Sequence, residues 1–255
     1  MSYFVVATET ANEALPRVNW NIYSWIVDEF SLGGSMGAMV LTVVGVLLCI
    51  LIPYLLGSIN PAIIFSKKIY HDDIREHGSG NAGTTNTLRT YGVKMAAIIL
   101  VLDFLKAVIA VVIGSLIMTR AIGGAIAGIF VILGHMFPVY YKFKGGKGVA
   151  SLAGVILILS PISFVILIAL FIAIVIMSRF VSLGSVMCVM LYPIIHHAFY
   201  PQYSWITLSS ICIMLLVVFM HRENIKRLMA GKESKISFGS KKKKENGDGE
   251  KTNEG

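Results

Sequence analysis

The chain has 255 residues, 56% of them hydrophobic and 14% charged, with a formal net charge of +8. Its mean hydropathy of +0.75 lies outside the range of water-soluble domains and excludes a soluble enzyme built around one interior core. The apolar residues fall into runs of about 17–25, the length of a bilayer helix, without the in-out alternation of a transmembrane barrel.

Residues 1–34 read as an extracytoplasmic leader, with Glu9, Glu13, Asp28 and Glu29 set against Arg17, and aromatics at Trp20, Tyr23, Trp25 and Phe30. The acidic balance suits the outer face, and the aromatics suit the membrane interface. No basic stretch precedes an apolar one, so no cleavable signal peptide is expected. Spans are predicted at residues 35–56, 95–118, 121–140, 181–198 and 205–220. Between the first two lies the longest polar loop, residues 66–94.

Residues 149–159 are short for a span, but Pro161 opens another apolar run to residue 177, and the two together read as a helical hairpin. If that hairpin crosses twice the chain has about seven spans; if it is re-entrant, residues 148–178 dip and return, leaving five. Residues 234–255, with Lys241–Lys244, have the composition of a disordered cytoplasmic tail. The three cysteines, Cys49, Cys188 and Cys212, fall inside apolar runs at no metal-ligand spacing.

Lysine and arginine gather in the 66–94 loop, in the 141–147 turn, at Arg179 and after residue 220, all on one side if spans alternate. The expected fold class is therefore all-α: a polytopic transmembrane helical bundle over residues 35–233, N-terminus out and C-terminus in.

Three polar motifs meet on that inner side. Residues 78–89 hold three glycines with Ser79, Asn81, Thr85, Asn86 and Arg89: close backbone approach, neutral donors and acceptors, and a guanidinium that forks onto phosphate. The alternative is an ordinary Gly/Asn-rich loop. Gly134-His135 leads into Phe143-Lys144-Gly145-Gly146-Lys147-Gly148, where glycine N–H groups form an anion nest and a helix starting at Gly148 adds its dipole. The alternative is a basic loop that fixes topology. The third motif, residues 221–233, offers His221, Asn224 and Glu233 among basic residues that also suit acidic headgroups. Asp103 and Lys106 share a helix face within a span and read as a functional pair or as a structural one beneath the site.

Taken together, Gly78-Ser79-Gly80-Asn81 with Gly83, Thr85, Asn86 and Arg89; Gly134-His135 with Phe137-Pro138 and the run Phe143 to Ala150; and His221-Arg222 with Asn224-Ile225, Arg227-Leu228, Gly231 and Glu233 resemble three signatures of one family. It is that of the bacterial membrane glycerol-3-phosphate acyltransferases that use acyl phosphate, the PlsY family. Leu56-Gly57-Ser58-Ile59, Leu102-Asp103-Phe104 with Lys106, and Ser182-Leu183-Gly184-Ser185 are similar to its pattern as well. The resemblance covers residues 57–233; Ala107 and Ser151 depart from it, standing where the family usually has Gly and Thr.

The resemblance implies acyl transfer from acyl phosphate to the 1-hydroxyl of sn-glycerol 3-phosphate, giving lysophosphatidic acid and phosphate, with no cofactor and no metal. It implies a multi-pass protein of the bacterial inner membrane with its site on the cytoplasmic face. The implied partners are the two substrates, membrane lipid and an enzyme that makes acyl phosphate, with no nucleic acid. Ser79, Arg89, His135, His221, Asn224 and Glu233 are the expected catalytic residues. Asn81, Thr85, Asn86, Gly145, Gly146, Lys147, Gly148 and Ser185 are the expected substrate-binding residues. Ser79, Thr85 and Arg89 are assigned to the donor phosphate, and the 145–148 glycines with Lys147 to glycerol 3-phosphate. Ser185, His221 and Asn224 complete the polyol site. His135, His221, Glu233 and the donor phosphate itself all stand open as the base. A transporter of phosphorylated metabolites is the alternative function.

Overall fold

A computed structural model describes residues 21–29 and 36–236; the remainder of the expected leader, and Lys241–Lys244 of the expected tail, lie outside the described residues. Within the leader, Ile22–Glu29 is a helix, α1, whose first turn Asn21 caps by accepting from the Ser24 N–H at 2.9 Å. It lies against α2 (Met36–Ser58), the first long apolar helix, where Thr42 donates to the Tyr23 hydroxyl at 3.1 Å. Asn60 and Pro61 then start α3 (Pro61–Ile69): the Asn60 side chain accepts from the Ile63 N–H, and proline at the first position gives up an N–H that has no helical partner anyway.

The polar loop is more structured than its composition suggested. It carries the short helix α4 (Thr84–Tyr91), and Ile74 and Ala82 fix it over the start of α5 (Val93–Ile117) by packing with Ile63 and Ile99. A π-turn at Arg120–Gly124 brings the chain back into α6 (Ala125–Met136). That turn needs glycine, because a Cβ on Gly123 would lie 2.1 Å from the Gly114 carbonyl oxygen. Four helices remain before the last turn: α7 (Val149–Leu159), α8 (Pro161–Ser178), α9 (Val181–Phe199) and α10 (Ser204–Met220). The final helix, α11 (Arg222–Met229), is bent 59° from α10. Val131, Val155, Tyr192 and Ile213 form the interior where α6, α7, α9 and α10 meet.

Among the described residues, five helical segments are long and apolar enough to cross a membrane, or six if α10 and α11 count as one bent span. Helix α7, of 11 residues, extends about 16 Å, roughly half the hydrocarbon thickness. It nevertheless runs the length available to it. At one end Ser151 donates to the Asp103 carbonyl at 3.1 Å, and at the other the Ile158 carbonyl accepts from Arg120, beyond the end of α5. Among the described residues, α7 therefore links the level of Asp103 on α5 to the end of the bundle where Arg120 lies. Asp103 is ten residues into α5, so α7 begins about 15 Å along its neighbour. Its N-terminus forms the floor of a recess, and the functional side chains gather there.

Candidate active site

The first wall of the recess is the turn before α4. Gly78 and Gly80 have φ of +58° and +69°, the left-handed region that favours glycine. Asn86 reaches back from α4 to hold this turn: its Oδ1 accepts from the Ser79 N–H at 2.9 Å, and its Nδ2 donates to the carbonyls of Ile74 and His77 at 3.0 and 2.9 Å. Asn86 also lines the cavity, but its amide is engaged in folding the loop. Ser79, Asn81, Thr85 and Arg89 line the cavity that the turn encloses. Gly83 caps α4 with no side-chain bond, so the first N–H groups of the helix face the same space.

The second wall is the glycine-lysine turn. Gly145 N–H donates to the Met136 carbonyl and Gly146 N–H to the His135 carbonyl, each at 3.1 Å, and neither glycine lines the cavity. This corrects the expected nest: those two donors are spent on the end of α6. Their lack of a Cβ is what lets the turn lie flat, because a Cβ on Gly145 would stand 2.1 Å from the His135 carbonyl oxygen, and one on Gly146 2.1 Å from His135 Nε2. The anion donors come one step later. Gly148, at φ +81°, caps α7 without a side-chain bond, and with Val149 and Ala150 it lines the cavity, as expected of a helix starting there. Lys147 sits beside this N-terminus. Desolvation pushes its pKa down to about 8, and the neighbouring charge of Arg227 adds to the effect.

The third wall is the bend between α10 and α11. His221 Nδ1 lies 2.8 Å from the Val217 carbonyl. A carbonyl only accepts, so Nδ1 carries the hydrogen and Nε2 is left as an acceptor. Asn224 bridges Lys147, whose ammonium donates to its Oδ1, and Glu233, which accepts from its Nδ2 at 2.7 Å. Glu233 accepts further bonds from Ser182 at 2.9 Å and from Arg227 at 2.8 Å. Burial alone would raise its pKa, but those three donors outweigh it and hold the carboxyl below its usual range. Glu233, one of the groups left open as the base, is thus held by donors from α9 and α11. Ser185 gives its hydroxyl hydrogen to the Val181 carbonyl at 2.9 Å, leaving oxygen lone pairs for a ligand.

Beneath the floor, Lys106 pairs with Asp103 at 2.8 Å and donates to the carbonyls of Gly57 and Ile59 at 2.9 and 2.7 Å. Its ammonium caps the negative end of α2. His135 Nδ1 lies 3.0 Å from this ammonium, 3.2 Å from Asp103 and 3.4 Å from Ser151. His135 Nδ1 is thus engaged by this buried cluster, while the ring itself lines the cavity.

The walls enclose a cavity of about 400 Å³. At one end stand Arg89, Lys147 and the N-termini of α4 and α7. At the other the lining turns apolar, with Leu152 and Ile156 from α7, Phe164 and Phe171 from α8, and Val189 from α9. No motif pointed to this apolar half, because it is written in ordinary span residues. Ser182 and Arg227, quoted in motifs but given no role, are both bonded to Glu233. The fold is that of an integral membrane protein, with a cavity that is cationic at one end and apolar at the other.

The family model for glycerol-3-phosphate acyltransferase matches residues 47–231. The glycerol-3-phosphate acyltransferase of Thermoanaerobacter sp. (strain X514) is 45% identical over 186 residues, 73% of this chain and 93% of that protein. That of Bacillus subtilis (strain 168) is 39% identical over 191 residues, 75% and 97%. The crystal structure of PlsY, an integral membrane glycerol 3-phosphate acyltransferase, in its glycerol 3-phosphate form aligns with a TM-score of 0.71 at 34% identity, covering 75% of this chain and 96% of that one. Its lysophosphatidic acid form gives 0.68 at 33%, covering 75% and 95%. The chain belongs to the glycerol-3-phosphate acyltransferase family, and it is a multi-pass membrane acyltransferase.

Proposed function

We propose that the enzyme transfers a fatty acyl group from acyl phosphate to the 1-hydroxyl of sn-glycerol 3-phosphate, releasing lysophosphatidic acid and inorganic phosphate. The observation that carries this reading is the continuity of the cavity, cationic at one end and apolar at the other. Both proposed substrates are phosphate-bearing, one small and polar, the other attached to a hydrocarbon chain. Two helix N-termini with Arg89 and Lys147 suit two phosphates, and the apolar half suits the chain. PlsY solved in glycerol 3-phosphate and lysophosphatidic acid forms supports the same acceptor and product here.

In the reaction, the acceptor oxygen bonds to the acyl carbon, and the bond from that carbon to the phosphate oxygen breaks, its electron pair leaving with phosphate. The acceptor's proton passes to Nε2 of His221 and from there to the departing phosphate. An acyl phosphate is already activated, so orientation and charge stabilisation supply most of what is needed. Ser79, Asn81, Thr85 and Arg89 hold the donor phosphate; Lys147, Gly148, Ser185 and Asn224 hold the acceptor.

We assign the site to the cytoplasmic face of the bacterial inner membrane. Lys67, Lys94, Lys144 and Arg179 all lie at the site's end of the bundle, whereas Arg120 stands at the other. The polar lining is confined to that end too, which does not suit a transport path.

The test is phosphate release by purified protein given palmitoyl phosphate with and without glycerol 3-phosphate. Release that requires the acceptor and yields lysophosphatidate is expected. Transfer from palmitoyl-CoA instead would overturn the donor.

A further inference from the structure

We infer that the acyl chain leaves the cavity sideways into the lipid, through a mouth between α5 and α8 that opens above the Phe104–Phe164 ring pair. This rests on the cavity being the site of acyl transfer.

Leu100 on α5 is 47% exposed and Ile168 on α8 is 38% exposed, yet both line the cavity. A side chain that faces both the cavity and the outside stands at an opening. The two helices flank α7, which packs against each of them. Where α5 and α8 do meet, the contact is aromatic: the rings of Phe104 and Phe164 stand 6.3 Å apart, tilted by 52°. Leu100 lies one turn from Phe104 toward the polar end of the site, and Ile168 one turn from Phe164 in the same direction. The ring pair therefore forms a sill beneath the opening, not a bar across it.

Magnitudes decide between a closed slot and a side exit. Ile156 on α7 and Phe164 on α8 are each four residues from the Ser160 turn, so they mark one level, the bottom of the cavity. From Val149, at the anion site, to Ile156 is seven residues, or about 10 Å. One leaflet of the hydrocarbon core, the length available to a membrane lipid's chain, is about 15 Å thick. About a third of a chain of that length lies beyond the slot. The buried interior beneath the sill offers it no continuation, whereas the mouth leads into hydrocarbon, where the remaining methylenes keep an apolar environment. The enzyme then holds the proximal part of the chain and leaves its end to the bilayer. Product can depart by the same route without its tail crossing water.

The test compares hexadecanoyl phosphate with octanoyl phosphate, whose chain ends within the slot. Ile168→Trp and Leu100→Trp each narrow the mouth from one side. Each is expected to lower the hexadecanoyl-to-octanoyl ratio of kcat/KM by about tenfold or more, and if one variant fails to fold the other carries the test. In parallel, the Kd ratio for lysophosphatidates with sixteen- and eight-carbon chains is measured in the same variants. That ratio reads the mouth whichever donor the enzyme uses, so failure of the acyl-phosphate reading remains separate. Unchanged ratios in both variants, with Phe164→Ala alone favouring longer chains, would overturn the side exit and identify a closed slot. Equal loss with both chain lengths would overturn it as well, since the tryptophan would then be acting on the reacting end.

Discussion

The imidazole of His221 hydrogen-bonds the carbonyl of Val217, one turn back on its own helix, at 2.8 Å. This bond fixes the tautomer and leaves Nε2 as the ring's hydrogen-bond acceptor, while His135 Nδ1 and both Glu233 oxygens are engaged by other side chains. His221→Ala should lower kcat by about 10²–10⁴, the usual worth of a general base, with little change in KM for glycerol 3-phosphate. Steady-state kinetics on the inserted variant checks this. Wild-type turnover would hand the proton to the donor phosphate.

Lys147 supplies a pH dependence. With its pKa pushed down to about 8, it is charged below that value and neutral above it. A dianionic acceptor binds the charged form, so kcat/KM for glycerol 3-phosphate should fall as pH rises through about 8. Lys147→Arg keeps its charge throughout this range and should remove that alkaline limb, even if its overall rate is lower. A limb that persists in the arginine variant would assign the titration to another group.

Glu233 and Arg227 should behave as one unit. Glu233→Gln keeps an oxygen for Ser182 and Asn224 but loses the charge opposite Arg227, and about a tenfold loss of kcat/KM is expected. Arg227→Ala should cost a similar factor, and the double variant little more, because contacting residues are not additive. In Glu233→Gln the alkaline limb should move to lower pH, because the carboxylate no longer supports the Lys147 charge. The acid side of the profile should keep its shape, which a catalytic base in that position would not allow.

Gly146→Ala should act on the fold. The new Cβ would meet His135 Nε2 at 2.1 Å and the Ala82 carbonyl oxygen at 2.8 Å. Overpacking of a tight core costs about 1–3 kcal/mol, and here the obstacle includes backbone, so the upper part of that range is expected. Thermal unfolding in detergent should show a lowered Tm for Gly146→Ala and a nearly unchanged one for Lys147→Ala, although both lose activity. Equal melting would return Gly146 to direct ligand binding.

Much of the fold was legible in the sequence. Apolar runs at bilayer length located α2, α5, α8, α9 and α10 to within about two residues, whereas α6 is four residues shorter at each end than the predicted span. Hydrocarbon admits few alternatives to a helix with all its backbone bonds internal. The start of α7 at Gly148 was legible too, since a glycine ends the turn where the apolar run begins. Helix α1 was not, as its eight residues sit in a mixed stretch without a clear period.

For the site, the chain's own residues singled out three motifs, and their combination carried the family. What the sequence could not apportion was role. Asn86, Gly145, Gly146, Glu233 and His135 belong to the same motifs as Arg89, Lys147 and His221, yet donors and acceptors of theirs are engaged by neighbouring side chains or by the backbone. That depends on which carbonyl lies within 3 Å of which nitrogen, a relation set by helices far apart in the chain. The apolar half of the cavity was equally hidden. A leucine or phenylalanine facing a substrate chain looks the same in sequence as one facing lipid, and only the packing of α5, α7, α8 and α9 distinguishes the two.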